Sequence, residues 1–137
     1  MMKKDDCIFC KLANGDIPTN TVYEDDDFRV FLDAAPATRG HCLIVPKDHF
    51  NDLEDLDDTT AAKVLPLARK IMKMLKDKLG WEGFNLVQNN RELAGQSVFH
   101  FHMHLIPRYK NDGQKILWEM HEPKEGELEG VLNDILS

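Results

Sequence analysis

The sequence predicts an α+β fold, a mainly antiparallel five-stranded sheet with one long helix packed on it. Two observations carry this prediction. Short runs rich in β-branched and aromatic residues, bounded by turn residues, recur in both halves of the chain and are typical of strands. The stretch 56–79 instead places apolar residues at the i, i+3, i+4 and i+7 spacing of an amphipathic helix.

Five segments have the composition of strands. The first two are joined by the acidic turn Asp25–Asp27, which consists of hairpin residues. Pro46 ends the third strand because proline cannot donate to a ladder. We expect the last two strands to form an antiparallel hairpin across the loop 89–96. The five predicted strands are 21–24, 28–32, 41–46, 83–88 and 97–107.

Two helices are predicted. The long one ends at Leu79, and Gly80 is placed to cap it in the left-handed conformation. Pro66 removes one backbone donor, so we expect a kink or a restart there, and the basic face of the helix is expected to be solvated. A short C-terminal helix is predicted to bring five apolar residues to one face, namely Leu128, Val131, Leu132, Ile135 and Leu136.

The composition predicts a single domain over residues 1–137, with a tail and short helix over 111–137. The net charge of −7 argues against binding to nucleic acid, which needs a basic surface. No apolar run approaches the roughly 18 residues that span a bilayer, and no signal peptide is recognisable, so we expect a cytoplasmic protein without membrane contact. Three cysteines in such a chain argue against a disulfide framework.

His100, His102 and His104 occupy every second position of the fifth predicted strand. In a strand these imidazoles would line one face, while apolar side chains line the other. Imidazole has an unperturbed pKa of about 6.5, which suits acid, base, nucleophile or metal-ligand roles. Two interpretations stay open: a three-histidine zinc site with a bound water, or imidazoles that attack and stabilise an electrophile.

Cys7 and Cys10 form a C-x-x-C pair, which needs two more ligands to complete a closed tetrahedral zinc site. Histidine is the expected source, and His49 and one of the strand histidines are the candidates. Cys42 lies in an apolar run and is interpreted as a core residue. A redox pair and an inert pair are the alternatives, although the sequence lacks the βαβ context of a thioredoxin-like motif.

The run His100-Phe-His-Met-His-Leu-Ile106 resembles the signature His-φ-His-φ-His-φ-φ, φ being apolar, of the histidine triad (HIT) family of nucleotide hydrolases and transferases. Other family landmarks follow in the expected order over roughly residues 5–108. The resemblance implies a HIT-like fold. These landmarks are Cys7–Lys11, Asp33–Pro36, Gly40–His41 running to Pro46–Lys47, and Gly95–Ser97.

The resemblance implies that His102 is the nucleophile that attacks the α-phosphorus of a purine nucleotide derivative. A nucleotidyl-histidine would form, and water would release the nucleoside monophosphate. His104 and His41 would lie against the α-phosphate and stabilise the transition state. The Ser97 hydroxyl would donate a hydrogen bond to the departing group.

The same resemblance implies a set of nucleotide-binding residues. Asp33 would bind the ribose hydroxyls, and Asn89 and Gln96 would contact the phosphate and the leaving group. Taken singly, such residues are typical of turns, loops and cores. The base would lie among Ile8, Phe9, Leu12 and Phe31.

Some bacterial relatives hold zinc through the C-x-x-C pair, a downstream histidine and the first triad histidine. Here those ligands are Cys7, Cys10, His49 and His100. The implied zinc is structural, because family members without the cysteines fold without it, and no organic cofactor is implied. The family also implies a homodimer.

The predicted activity is hydrolysis at the α-phosphate through covalent His102, and the leaving group stays open. Gly95–Ser97 resembles the Hint branch, which cleaves nucleoside phosphoramidates. Ala94–Gln96 and Pro107–Arg108 also resemble the Fhit branch, which cleaves dinucleoside polyphosphates such as diadenosine polyphosphates. A uridylyltransferase is disfavoured, because members of that group have proline between the triad histidines and a longer chain. Two other classes stay open: a zinc-water hydrolase that uses all three strand histidines, and a non-catalytic nucleotide-binding or scaffolding protein.

Overall fold

A computed structural model describes residues 3–137 and confirms the α+β fold. Five strands form one sheet in the order β1-β2-β3-β5-β4, and every neighbouring pair is antiparallel. The strands are β1 Thr21–Glu24, β2 Phe28–Leu32, β3 Cys42–Pro46, β4 Gly83–Val87 and β5 Met103–Arg108. The helices are α1 Ile8–Ala13, α2 Asp58–Leu79 and α3 Glu127–Leu136, and a short 3₁₀ helix spans Glu92–Ala94.

The hairpin between β1 and β2 forms at the predicted acidic turn. The Asp25 carboxylate accepts hydrogen bonds from the backbone N–H groups of Asp27 and Phe28, each at 2.8 Å. An aspartate that bonds to its own backbone in this way replaces the ladder bonds that end at a turn. Strand β2 then pairs with β3 over five residue pairs.

Helix α2 covers one face of the sheet through the amphipathic pattern that the sequence shows. The Asp57 carboxylate caps its first turn by accepting from the Thr60 N–H at 2.8 Å, and Gly80 ends it at φ 66°. The side chain of Ile71 is fully buried, which contributes roughly 1.5–3 kcal/mol. The buried stripe of the helix is Val64, Leu67, Ala68, Ile71 and Leu75.

Two details of α2 differ from the sequence prediction. The helix runs unbroken through Pro66, so the expected restart does not occur. Pro66 is exposed, and the carbonyl of Ala62 that loses its partner lies in the same exposed turn, where water can satisfy it. Leu65 is 60% exposed, because it lies about 100° around the helix from the buried stripe. The basic face is exposed as predicted, and Lys63 on that face forms a surface ion pair with Asp27 at 2.7 Å.

Helix α1 is an element that the sequence analysis did not predict. It is six residues long, too short for apolar periodicity to be visible. Cys7 caps it, because its sulfur accepts a hydrogen bond from the Cys10 N–H at 3.3 Å. The C-x-x-C pair therefore lies across the first turn of a helix.

The predicted fifth strand is wrong over residues 97–102. Strand β5 begins at Met103, which pairs with Ile44, while β4 has already ended where Val87 pairs with His104. Beyond these pairs no strand lies alongside the chain within the described sheet, and the Phe101 N–H donates instead to the Phe50 carbonyl at 2.6 Å. Strand β3 similarly begins one residue later than predicted, at Cys42.

The predicted C-terminal helix forms as α3, but none of its residues is buried. Its apolar side chains remain accessible, with Ile135 71% exposed, and Trp118 in the preceding segment is 82% exposed. The apolar face therefore has no counterpart on the described chain. Over residues 3–137, no helix combines the length and apolarity needed to cross a bilayer.

Candidate functional site

The three alternating histidines lie at two different places, a buried cluster and an open cavity. His100 and His102 precede β5, so the single strand face predicted for all three imidazoles is wrong. His100 is fully buried against the C-x-x-C pair, whereas His102 and His104 line an open cavity. In the described chain, no candidate metal cluster contains all three imidazoles, which argues against the three-histidine zinc-water site.

The first place is a cluster of two thiols and two imidazoles. Cys7, Cys10, His49 and His100 are all buried, and their ligand atoms lie within 4.8 Å of one another. The Cys10 sulfur is 3.4 Å from Nδ1 of both His49 and His100, and the Cys7 sulfur is 3.4 Å from Nδ1 of His100. Zinc bonds of about 2.1 Å to nitrogen and 2.3 Å to sulfur place tetrahedral ligand atoms roughly 3.5 Å apart, which matches these spacings.

Hydrogen bonds fix the proton of both imidazoles in this cluster on Nε2, so that Nδ1 of each ring is free to bind a metal. Nε2 of His100 lies 2.8 Å from the Pro46 carbonyl, which can only accept, so Nε2 carries the proton and Nδ1 is free. Nε2 of His49 lies 2.9 Å from the Asn51 side-chain oxygen in the same way. Burial lowers the pKa of His100 to about 4, which keeps the ring neutral as a ligand must be. The donor set fits zinc.

The second place is a cavity of about 330 Å³, called here the nucleotide cavity because four of the residues expected to bind a nucleotide, Phe9, Leu12, Phe31 and Asp33, line it. It lies where α1, strands β2 and β3 and the loop before β5 meet. Its walls combine an apolar slot with a polar end that carries Asp33, Ser97 and two imidazoles. The lining residues are Phe9, Leu12, Pro18, Thr19, Asn20, Phe31, Leu32, Asp33, Ala34, Leu43, Ser97, His102 and His104.

His102 presents an unprotonated nitrogen to this cavity. Its Nδ1 lies 2.8 Å from the carbonyl of His100, so Nδ1 carries the proton and Nε2 keeps its lone pair. Burial lowers the pKa of His102, which favours the neutral ring. The Phe9 ring meets the imidazole edge-on, with centroids 4.8 Å apart, and fixes its orientation.

A backbone N–H determines the proton positions of His41 and His104. Ala37 N–H donates to Nδ1 of His41 at 2.9 Å, so neutral His41 carries its proton on Nε2. That Nε2 lies 2.9 Å from Nδ1 of His104, which must accept. Burial lowers the pKa of His41 and lowers that of His104 to about 4, so both rings are neutral. His104 therefore offers an Nε2–H donor.

The same proton positions argue against a metal at Asp33, His41 and His104, whose ligand atoms also lie within 4.8 Å of one another. A metal on Nε2 of His41 would move the proton to Nδ1. Nδ1 would then face the Ala37 N–H, donor against donor. Asp33 lies 3.5 Å from Nε2 of His41 and supports its N–H as an acceptor instead.

The structure does not gather every residue predicted for nucleotide binding. Ile8 is 46% exposed and does not line the nucleotide cavity, because α1 turns its neighbours Phe9 and Leu12 inward. Asn89 also lies outside the lining, beside Gly95. Gln96 is buried and uses its amide to hold the loop, accepting from Arg91 N–H and donating to two carbonyls.

Several lining residues were missed by the sequence analysis. Leu43 pairs directly with Phe31 across β2 and β3, so correct strand pairing would have placed both on one face. Pro18, Thr19 and Asn20 belong to the segment between α1 and β1, for which no local signal exists.

Fold and site together define a class: an antiparallel α+β domain that places a neutral imidazole with a free ring nitrogen beside a buried thiol–imidazole cluster. Residues 14–111 match the HIT domain model, and the chain belongs to the HIT family. The Protein hit of Bacillus subtilis is 41% identical over 134 residues, covering 96% of this chain and 92% of that protein. The Adenosine 5'-monophosphoramidase hnt1 of Schizosaccharomyces pombe is 36% identical over 132 residues, covering 96% of each.

Solved structures agree with this assignment. The crystal structure of SMU.412c from Streptococcus mutans superposes with a TM-score of 0.91 at 41% identity, covering 98% of this chain and 85% of that one. A zinc-bound histidine triad family protein from Mycobacterium smegmatis superposes with a TM-score of 0.74 at 34% identity, covering 95% of each chain.

The neutral state of His104 predicts a dependence of folding stability on pH. Its pKa is about 4 in the folded protein and 6.5 ordinarily, so the unfolded chain binds more protons between these values. Its contribution to stability is complete above pH 6.5 and is lost as the pH falls toward 4.

Urea unfolding across this range should show that His104→Gln takes up fewer protons on unfolding than the wild type, by up to about one. His121→Gln, in the exposed tail, is the control and should behave as the wild type. Equal pH slopes for His104→Gln and the wild type would contradict the assignment.

Proposed function

We propose that this protein hydrolyses purine nucleotide derivatives at the α-phosphate, through a covalent bond between phosphorus and Nε2 of His102. The observation that carries the proposal is the hydrogen bond from Nδ1 of His102 to the His100 carbonyl. It leaves the nitrogen that lies in the nucleotide cavity unprotonated and neutral, which a nitrogen nucleophile requires. The relative from Schizosaccharomyces pombe that is named an adenosine 5'-monophosphoramidase supports the same chemistry.

In the first step, Nε2 of His102 attacks the α-phosphorus, and the bond from phosphorus to the leaving group breaks. The leaving atom keeps the bonding electrons and takes a proton that the Ser97 hydroxyl relays from solvent. The imidazole becomes cationic as the bond forms. The His100 carbonyl then stabilises the positive charge through the Nδ1–H that it already accepts.

In the second step, water attacks the phosphorus, the bond to Nε2 breaks, and a proton leaves to solvent. The products are the nucleoside monophosphate and neutral His102. In both steps, negative charge develops on the phosphate oxygens. His104 stabilises this charge by donating its Nε2–H. His41 does not line the cavity and, contrary to the sequence prediction, does not lie against the phosphate; its Nε2–H bonds to His104 and holds that tautomer.

The apolar slot of the nucleotide cavity suits a purine. Phe9 and Phe31 meet edge-to-face with centroids 6.3 Å apart, and Leu12 packs beside them. Asp33 accepts hydrogen bonds from the ribose hydroxyls in this proposal, because it lines the same cavity as the apolar slot and the two imidazoles. Asn89 and Gln96 act through the loop that positions Ser97. The leaving group is either the amine of a phosphoramidate or the polyphosphate of a dinucleoside polyphosphate.

Trapping the intermediate tests the mechanism. Protein that is acid-quenched during turnover of adenosine phosphoramidate or diadenosine tetraphosphate should carry one adenylyl group by intact-mass measurement. His102→Ala should show no adduct and lose at least about 10³-fold in kcat, since the nucleophile is removed. His121→Ala, in the exposed tail, should retain both the adduct and the rate. Hydrolysis that survives in His102→Ala would overturn the mechanism.

We further propose that Cys7, Cys10, His49 and His100 bind one structural Zn²⁺. When bound, zinc supplies a crosslink between α1, the segment after β3 and the loop before β5, and it stabilises their arrangement. The ion takes no part in the steps above. A cytoplasmic location suits this proposal, because a reducing compartment keeps both thiols available as ligands.

Zinc content and stability test this site. The purified protein should hold about one zinc per chain, and Cys10→Ser should hold far less, since three ligands leave the tetrahedral site open. Its melting temperature should fall by roughly 10 °C, because a loss of roughly 2–3 kcal/mol shifts the melting temperature of a chain of this size by about 4 °C per kcal/mol. Cys42→Ser is the matched control, because Cys42 is buried on β3 away from the cluster, and its zinc content should not change. Equal zinc content in Cys10→Ser and wild type would refute the ligand set.

We also propose that the chain forms a homodimer. The segment 115–137 exposes the apolar side chains of Leu117, Trp118 and Ile135, and a second copy would cover them. Light scattering after gel filtration should give twice the chain mass of 15.8 kDa, and deletion of residues 115–137 should shift it toward one chain. A wild-type protein that elutes as a monomer at high micromolar concentration would contradict the proposal.

A further inference from the structure

A second cavity, called here the outer groove, opens beside the nucleotide cavity. It has a volume of about 440 Å³, which is enough for a small organic group. Ser97 is the one residue that lines both cavities. A molecule that fills the nucleotide cavity can therefore continue past Ser97 into the outer groove. The groove is lined by Glu92, Gly95, Gln96, Ser97 and Phe99.

The outer groove is negatively charged. Glu92 is the single charged residue of its lining, it is exposed, and its carboxylate has no ion pair within residues 3–137. The neighbouring cation is already paired, because Arg91 binds Glu54 at 2.8 Å and lies 3.6 Å from Asp52. Nothing in the lining offsets the Glu92 charge, so a cation is attracted there and a polyanion is repelled.

The outer groove also has an aromatic wall. Phe99 is 52% exposed, although a phenyl ring normally buries most of its surface. A ring face attracts both ammonium groups and alkyl chains. A carboxylate and a phenyl ring in one groove are therefore suited to an alkyl chain that ends in an ammonium group.

We infer that the outer groove receives the leaving group, and that Glu92 and Phe99 select amine leaving groups that carry a second positive charge. The inference rests on the proposed function, because attacking and leaving atoms lie on opposite sides of the phosphorus. His102 lies in the nucleotide cavity and does not line the outer groove. The leaving group therefore points past Ser97, toward Glu92. This choice favours a phosphoramidate over a dinucleoside polyphosphate, whose leaving group is a polyanion.

The reaction remains the one described above. Nε2 of His102 bonds to phosphorus, the phosphorus–nitrogen bond breaks, and the leaving nitrogen keeps the electron pair and takes one proton from solvent. The second ammonium group of the amine does not react. It interacts with Glu92 and Phe99, and its effect appears in kcat/KM.

Three phosphoramidates of matched length test the inference. The substrates are adenosine phosphoramidates of cadaverine, pentylamine and δ-aminovalerate. The distal end of the leaving amine is positive in the first, neutral in the second and negative in the third. We expect kcat/KM to fall in that order, by about 2- to 5-fold at each step, because interactions between solvent-exposed charges are weak. Raising the ionic strength should narrow the differences.

Two variants assign the effect to these side chains. Glu92→Gln should bring the three kcat/KM values within about 2-fold, whereas Glu82→Gln, which removes the same charge at the far end of β4, should keep the full order. Phe99→Ala should lower kcat/KM for all three alkylamine derivatives relative to unsubstituted adenosine phosphoramidate.

Unsubstituted adenosine phosphoramidate separates the two ways of failing. If it is hydrolysed and the charge series is flat, or if diadenosine tetraphosphate is preferred to the cadaverine derivative, the inference is wrong and the proposed function stands. If Glu82→Gln removes the order as fully as Glu92→Gln, the assignment to Glu92 is wrong. If no derivative is hydrolysed or forms an adduct, both proposals are wrong.

Discussion

The hydrogen bond between the His100 carbonyl and Nδ1 of His102 is the constraint on which the rest of the site depends. It selects the nitrogen that faces the nucleotide cavity. The imidazole of the same residue 100 is held by the Pro46 carbonyl and by two cysteines. His100 therefore belongs to both places, with its side chain in the thiol–imidazole cluster and its backbone carbonyl bonded to the proposed nucleophile, His102. Any shift of the His100 backbone therefore changes the hydrogen bond that orients the His102 imidazole.

Two backbone groups determine where the protons of the site lie. The Ala37 N–H fixes the proton of His41 on Nε2 and, through it, fixes that of His104. The His100 carbonyl fixes the proton of His102 on Nδ1. Burial lowers the pKa of all three rings, so none of these assignments is disturbed by protonation near neutral pH. In the proposed reaction, oriented N–H dipoles stabilise the charge on the phosphate, and they need no reorganisation as that charge develops.

The features that follow from local patterns were predicted from the sequence. The apolar spacing of α2 and the turn chemistry of Asp25 depend on neighbouring residues only. The cluster of Cys7, Cys10, His49 and His100 was also predicted, through the family resemblance, but other features that depend on distant partners were not. The start of β5 at Met103 is determined by where β3 and β4 end, and the outward position of Ile8 is determined by a helix too short to show a period. Gln96 was predicted as a site residue, but its hydrogen-bond partners were not. Its amide bonds three backbone groups from two loops that only the fold brings together.

Residues 97–102 of the loop before β5 make no ladder bonds, so strand pairing does not constrain the exposed side chains of this loop. A substitution at Glu92 or Phe99 changes an exposed side chain and leaves the sheet register intact. His100 and His102, at the inner end of the same loop, have no such freedom. The outer half of the loop can therefore accept substitutions at little cost in stability, without disturbing the hydrogen bonds that hold His100 and His102.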